Sequence, residues 1–324
     1  MRSVGISIVR NEADIIEMFV RYHVAIFDKL YVIDHNSKDD TRSILDKLTA
    51  EGLPLVVLTE EIAWHCQAEA MTALARNVWK WDRPDWIVPL DADEFLVNCN
   101  FDDMPHGEHV FFPVWHNYTP TEYDDPNESN VLRRIKYKNS KINTNQHKVI
   151  IPAYLMGIEG TYLPEGNHEL YYKDGTPVSY SLAKDAYIAH FPVRSVEQVQ
   201  RKAFVGWPSK LANPLNNGKS PDWSHWKFFY DKFKNKETLT LAEIQSLAMG
   251  YTTDQNPGEM EAVEQPVEIE PGMDNKYPPT PYPPLRALAD TAELLAFNFM
   301  LSHHTGEKCC PNGDPSTLCP GRRT

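Results

Sequence analysis

Apolar positions in the first hundred residues fall into a repeating rhythm. Val4-Gly-Ile-Ser-Ile-Val9 is a short β-branched run, and after Arg10-Asn11-Glu12 apolar residues return at Ile15, Ile16, Phe19, Val20 and Val24, the spacing of one helix face. The unit recurs as Leu30–Ile33, the polar turn Asp34–Asp40 and a helix carrying Ile44, Leu45 and Leu48. A third round runs through Leu53–Leu58, a helix from Gln67 to Trp81, and Trp86-Ile-Val-Pro-Leu90 leading into Asp91-Ala-Asp-Glu-Phe95. Strands alternating with helices predict right-handed crossovers and an α/β fold, a mainly parallel sheet with helices on both faces. Loops at the C-terminal ends of its strands then line a ligand crevice.

The rhythm changes beyond Asn98. His109–Trp115, Lys148–Ile151 and Tyr187–Phe191 read as strands, and no helical pattern of similar length separates the first two. Residues 202–251 read as largely helical, with Ser220-Pro-Asp-Trp-Ser as a helix start. The stretch 252–284 crowds Pro266, Pro271, Pro278, Pro279, Pro281, Pro283 and Pro284 among acids and reads as an extended linker or strap. Leu285–Leu301 returns to helix. The expected organisation is a domain over 1–205 (halves 1–97 and 98–205), a helical extension over 206–251, the linker over 252–284, and a C-terminal helix and flexible tail over 285–324.

Composition narrows the partners. With 42% hydrophobic and 24% charged residues, the 324-residue chain can bury a sizeable core. A formal net charge of −13 argues against nucleic acid as partner and against adhesion to an anionic bilayer through the whole surface. No apolar run reaches membrane-span length, and the N-terminus enters Val4–Val9 without a signal-peptide core, so a cytoplasmic location is expected, with peripheral membrane contact left open. Five cysteines, two isolated and three crowded at the end, do not form a disulfide framework. His303-His304-Thr-Gly-Glu-Lys-Cys309-Cys310 imitates a zinc-finger linker but lacks the upstream cysteine pair, so a flexible tail is expected there.

Asp91 and Asp93 carry the clearest chemistry. Two residues apart in an extended segment leaving a strand, they project from one side and can share a cation. Magnesium or manganese is held by one or two carboxylates plus substrate phosphates, so a nucleotide diphosphate is the natural further ligand. Alternation turns Glu94 away from that side. Gly166-Asn-His-Glu-Leu170 and Ala189-His-Phe-Pro-Val-Arg194 each set a histidine, His168 or His190, beside a turn or strand end, where either can complete the cation's shell. Arg76, on the third helix, is a candidate phosphate contact. Trp115, Trp207, Trp223 and Trp226 offer stacking surfaces for sugar rings if exposed, although core packing is the plainer role for tryptophan.

Taken together, strand, Arg10-Asn11-Glu12, helix, Asp34-His-Asn-Ser-Lys-Asp-Asp-Thr41 and Asp91-Ala-Asp-Glu-Phe95 resemble the family 2 glycosyltransferases of GT-A fold, in the branch with the Asp-Ala-Asp-Glu-Phe signature. The resemblance covers residues 1 to about 97 strongly and 145–205 weakly. It implies a Rossmann-like sheet, a UDP- or GDP-sugar donor, a Mn2+ or Mg2+ cofactor and a saccharide, glycolipid or other glycoconjugate acceptor. It further implies that Asp34 accepts hydrogen bonds from the nucleoside, that Arg10, Asn11 and Glu12 border its pocket, and that Arg194 and Lys202, following His190, neutralise the leaving group.

A carboxylate after the second strand can accept from a base N–H or from ribose hydroxyls, although Asn11 alone reads equally well as a helix cap. Inverting transfer needs a base for the acceptor hydroxyl, for which Glu169 and then Glu165, flanking His168, are the candidates. Two other readings stand beside this one: a metal-dependent nucleotidyl or phosphoryl transferase, which no Gly-X4-Gly-Lys-Ser/Thr loop supports, and a catalytically silent nucleotide-sugar-binding protein.

Overall fold

The computed structural model describes residues 1–280 apart from 63, 106, 108, 142, 212–224, 236 and 252–260. The helix start at 220–224, the helix at 285–301 and the Cys-rich tail lie outside the described residues. The first sheet has the strand order β3-β2-β1-β4-β9, built from β1 (Ser3–Val9), β2 (Lys29–Asp34), β3 (Leu55–Thr59), β4 (Trp86–Pro89) and, antiparallel at one edge, β9 (Ile151–Pro152). The other pairings, β1 with β2, β1 with β4 and β2 with β3, are parallel.

Side-chain alternation distributes the sheet between two cores. Leu30, Val32, Trp86 and Val88 pack with helices α1 (Ile16–His23) and α2 (Thr41–Ala50) on one face, while Val4, Ile6, Tyr31, Ile33 and Ile87 pack with α3 (Gln67–Asp82) on the other. Burial of these apolar stripes holds the layers together. The fold is therefore α/β, a mainly parallel Rossmann-like sheet flanked by helices, and it carries an α-rich C-terminal extension.

A second sheet has the order β11-β7-β6-β10-β5, with β8 also on β6. Its strands are β5 (Glu94–Val97), β6 (Val110–Thr119), β7 (Tyr137–Asn139), β8 (Asn143–His147), β10 (Tyr180–His190) and β11 (Ala262–Glu264). A single helical turn, α4 (Val131–Arg134), precedes β7. The extension contributes α5 (Val196–Leu211), α6 (His225–Lys234) and α7 (Leu241–Met249), which share a core of Val199, Ala203, Phe204, Phe229, Phe233 and Ile244.

One expectation is revised. Asp91-Ala-Asp is not extended: it is the turn that passes the chain from β4 in the first sheet to β5 in the second, closed by Glu94 N–H donating to the Asp91 carbonyl at 3.1 Å. Of the stretch read as an extended linker or strap, residues 261–280 lie along the body as a strap. β11 pairs antiparallel with β7, Val267 is buried in the main core, and the backbone amides of Lys276 and Tyr277 each donate to Glu17 at 2.8 Å. The strap borrows a sheet edge and a buried carboxylate instead of building a core of its own.

Candidate functional site

The ends of β1 and β4, the 165–168 turn, β10 and the inward face of α5 enclose a cavity of about 340 Å3. Arg10, Asn11, Glu12, Asp91, Asp93, His168, His190 and Lys202 all line it, so the structure brings most of the expected residues to one place. Added to them are Gln67, Arg201 and Tyr251, which pattern reasoning did not assign to the site, and Trp115, which it named as a stacking surface.

Each aspartate has its own cation. Asp91, with one third of its side chain exposed, accepts from Gln67 Nε2 at 2.9 Å and from Lys148 Nζ at 2.8 Å. Lys148 is wholly buried, donates also to the Gly166 carbonyl at 2.7 Å and lies 3.2 Å from Glu94. Glu94 is wholly buried and, as alternation implied, does not line the cavity. The turn swings it beneath the site, where it accepts from the Asp91 amide at 2.9 Å. Burial drives the Glu94 carboxyl well above its ordinary range, against the pull of Lys148.

Asp93 accepts from Lys202 Nζ at 2.7 Å and has Arg194 Nη1 at 3.6 Å. Burial alone would raise the Asp93 carboxyl, but Lys202, His190 and Arg194 together outweigh it and hold the group below the usual carboxylate range.

The two histidines are fixed as neutral acceptors. His168 Nδ1 donates to the His147 carbonyl at 2.7 Å and His190 Nδ1 to Asn117 Oδ1 at 2.9 Å, which leaves each Nε2 with a lone pair. Burial lowers both imidazoles to about 4. Gly166, at φ +83°, lies under the His168 ring: a Cβ there would come within 2.4 Å of Nε2, so the turn requires glycine.

Several expected residues lie elsewhere. Asp34 is buried, accepts from the Ser37 amide at 3.3 Å and does not line the cavity. Asn11 is not a helix cap: at φ 57° it accepts from the Lys38 amide at 2.7 Å and so ties two strand-end loops together. Arg194 is fully buried in a fork on Asp14 (2.7 and 2.9 Å) and Glu12 (2.5 Å), a latch between the start of α1 and the segment before α5, and it has no surface for a leaving group. Arg76 donates to the Thr161 carbonyl at 2.6 Å, outside the cavity.

Neither proposed base lines the cavity: Glu165 pairs with His65 at 3.2 Å on the surface, and Glu169 accepts from the Tyr171 hydroxyl. Trp115 is almost wholly buried but lines the cavity, Trp207 is buried and does not line it, and the side chains of Trp223 and Trp226 lie outside the described residues.

Among the described residues no three His, Cys, Asp or Glu side chains converge on one point. One pair lies close together in the cavity: His190 Nε2 and Asp93 Oδ1 are 3.9 Å apart, too far for a hydrogen bond, and each turns an acceptor toward the other. A cation held there would take its remaining ligands from phosphate and water.

No protein-family model matches the chain, and no curated protein matches it. Among solved structures it is similar to a mannosyltransferase from Pyrobaculum calidifontis in complex with GDP-Man and Mn2+ (14% identity, 94% of this chain and 83% of that one, TM-score 0.37). It is also similar to a putative glucose-1-phosphate thymidylyltransferase from Bacillus anthracis (10% identity, 58% and 89%, TM-score 0.33) and to an inositol-1-phosphate CTP transferase from T. maritima (10% identity, 59% and 90%, TM-score 0.31). Likeness at this level assigns no activity.

Proposed function

We propose that this chain is a glycosyltransferase that moves a sugar from a UDP- or GDP-sugar to a hydroxyl of a saccharide or glycoconjugate, using Mn2+ or Mg2+. The observation that carries the reading is the Asp93–His190 pair, facing across 3.9 Å in a cavity at the C-terminal ends of parallel strands. Asp93 and His190 would hold the cation, which when bound offsets the charge that develops on a departing diphosphate. Lys202 keeps Asp93 ionised, lies 3.4 Å from Glu12 as well, and lines the same cavity.

Arg10 and Arg201 add positive charge along the same wall, as phosphate oxygens require. Lys148 and Gln67 fix Asp91, and Arg194 fixes Glu12, so the polar groups are arranged before any ligand arrives. The test is product identity. Incubation with Mn2+, UDP- or GDP-sugars and candidate saccharides is followed by 31P NMR. Free nucleoside diphosphate is expected; in a parallel reaction with added pyrophosphate, conversion of nucleotide-sugar and pyrophosphate to nucleoside triphosphate and sugar 1-phosphate would instead establish the nucleotidyl reading.

A further inference from the structure

Asn117 stands beside His190 in the parallel register of β6 and β10, on the same sheet face. It is almost wholly buried, and its amide is fully used. Nδ2 donates to the Met249 carbonyl at 3.3 Å and to the Tyr251 carbonyl at 3.0 Å. Carbonyls only accept, so the NH2 group must face them and Oδ1 must face His190. Oδ1 in turn only accepts, which places the imidazole proton on Nδ1 and the lone pair on Nε2, toward Asp93.

The far side of this clamp is well specified. Helix α7 begins with a capping box, Thr240 with Glu243, packs Ile244 and Ala248 inward, and ends at Gly250. Asn139 Nδ2 donates to the Met249 carbonyl as well, at 3.2 Å. Tyr251, just past the helix, lines the cavity with its ring edge-on to His190, centroids 5.4 Å apart.

We propose that Asn117 is a positioning residue that sets the tautomer of His190 and, through the same amide, ties the end of the C-terminal extension to the site so that Tyr251 forms part of its wall. The extension is then a working part of the cavity and not an appendage. The effect on cation binding rests on the proposed function, whereas the tautomer and the clamp do not.

The experiment uses the full chain labelled with 15N-histidine, and two-bond 15N–1H correlation spectra identify His190 by its loss in His190→Gln. Wild type is expected to show Nδ1 protonated. Asn117→Ala should move His190 to the Nε2–H form or a mixture, and Asn117→Asp, which keeps the acceptor, should leave it at Nδ1–H. Both variants lose the amide donors, so hydrogen exchange at 249–251 should quicken in both. An Nε2–H wild type, an unchanged tautomer in Asn117→Ala, or unchanged exchange at 249–251 would overturn the inference.

Mn2+ binding in the presence of UDP or GDP, followed by electron paramagnetic resonance, adds a readout that a merely structural role would not move. Affinity should fall roughly 10- to 100-fold in Asn117→Ala and be retained in Asn117→Asp. Equal affinity in all three proteins would overturn the coupling. A wild type that binds no Mn2+ with either nucleotide would overturn the proposed function, while the tautomer result would still stand or fall alone.

Discussion

Lys148→Met removes the ammonium beneath the site while roughly preserving its volume. In the native protein this wholly buried group serves Asp91 at 2.8 Å, Glu94 at 3.2 Å and the Gly166 carbonyl at 2.7 Å. Deleting one partner of a buried pair costs about 3–5 kcal/mol, because the group left behind is a buried charge without compensation. Asp91 is one-third exposed and recovers some hydration, and Glu94 escapes part of the penalty by taking up a proton, so the low end, about 3 kcal/mol at pH 7.5, is expected.

The cost should shrink at lower pH, where protonation of Glu94 is easier, and Glu94→Gln in the same chain should restore much of the loss. Urea unfolding followed by tryptophan fluorescence measures all four members of this cycle. A loss below about 1 kcal/mol, or a double variant less stable than the sum of its parts, would refute the electrostatic account of the turn.

Two further outcomes follow from buried groups away from the cavity. His23 donates from Nδ1 to the Phe19 carbonyl and accepts the Leu96 amide on Nε2, and burial lowers its imidazole to about 3. The unfolded chain then binds a proton that the folded chain refuses, so the stability this group contributes is complete above its ordinary value and is lost as pH falls from about 6.5 toward 3, roughly 2 kcal/mol by pH 5. Unfolding free energies of His23→Gln should fall less steeply with acid than those of wild type, and parallel slopes would contradict the assignment.

In β1, a Cβ on Gly5 would meet the Phe27 ring at 2.6 Å and Leu30 Cδ1 at 2.8 Å, so Gly5→Ala should cost about 1–3 kcal/mol through overpacking. A thermal midpoint equal to wild type would show that the Phe27 ring yields freely.

The first sheet was legible because its strands are short β-branched runs separated by helices with a clean 3.6-residue period. The second sheet was not: β5 is four residues long, and the first part of β10 mixes in Ser181, Lys184 and Asp185 and shifts register against β6 between Leu182 and Tyr187, so only its last part reads as apolar. Asp91 and Asp93 announced themselves by following an apolar strand. Lys148 headed a run already read as a strand, and its charge within that run was the available signal.

Asn117 gave none, since its link to His190 spans 73 residues and exists only through strand register. Glu165 and Glu169 failed as cavity residues for a related reason. They flank His168 in sequence, but the turn that aims His168 inward aims them outward.

The most direct test of the account is a binding screen of UDP, GDP, CMP and dTDP by thermal shift, each with manganese and with EDTA, on wild type and Asp93→Asn. The account predicts a manganese-dependent rise in midpoint with UDP or GDP that disappears in Asp93→Asn. A rise that persists in EDTA or in the variant, or none with any nucleotide, would contradict the claim that Asp93 and His190 hold a cation for a nucleoside diphosphate.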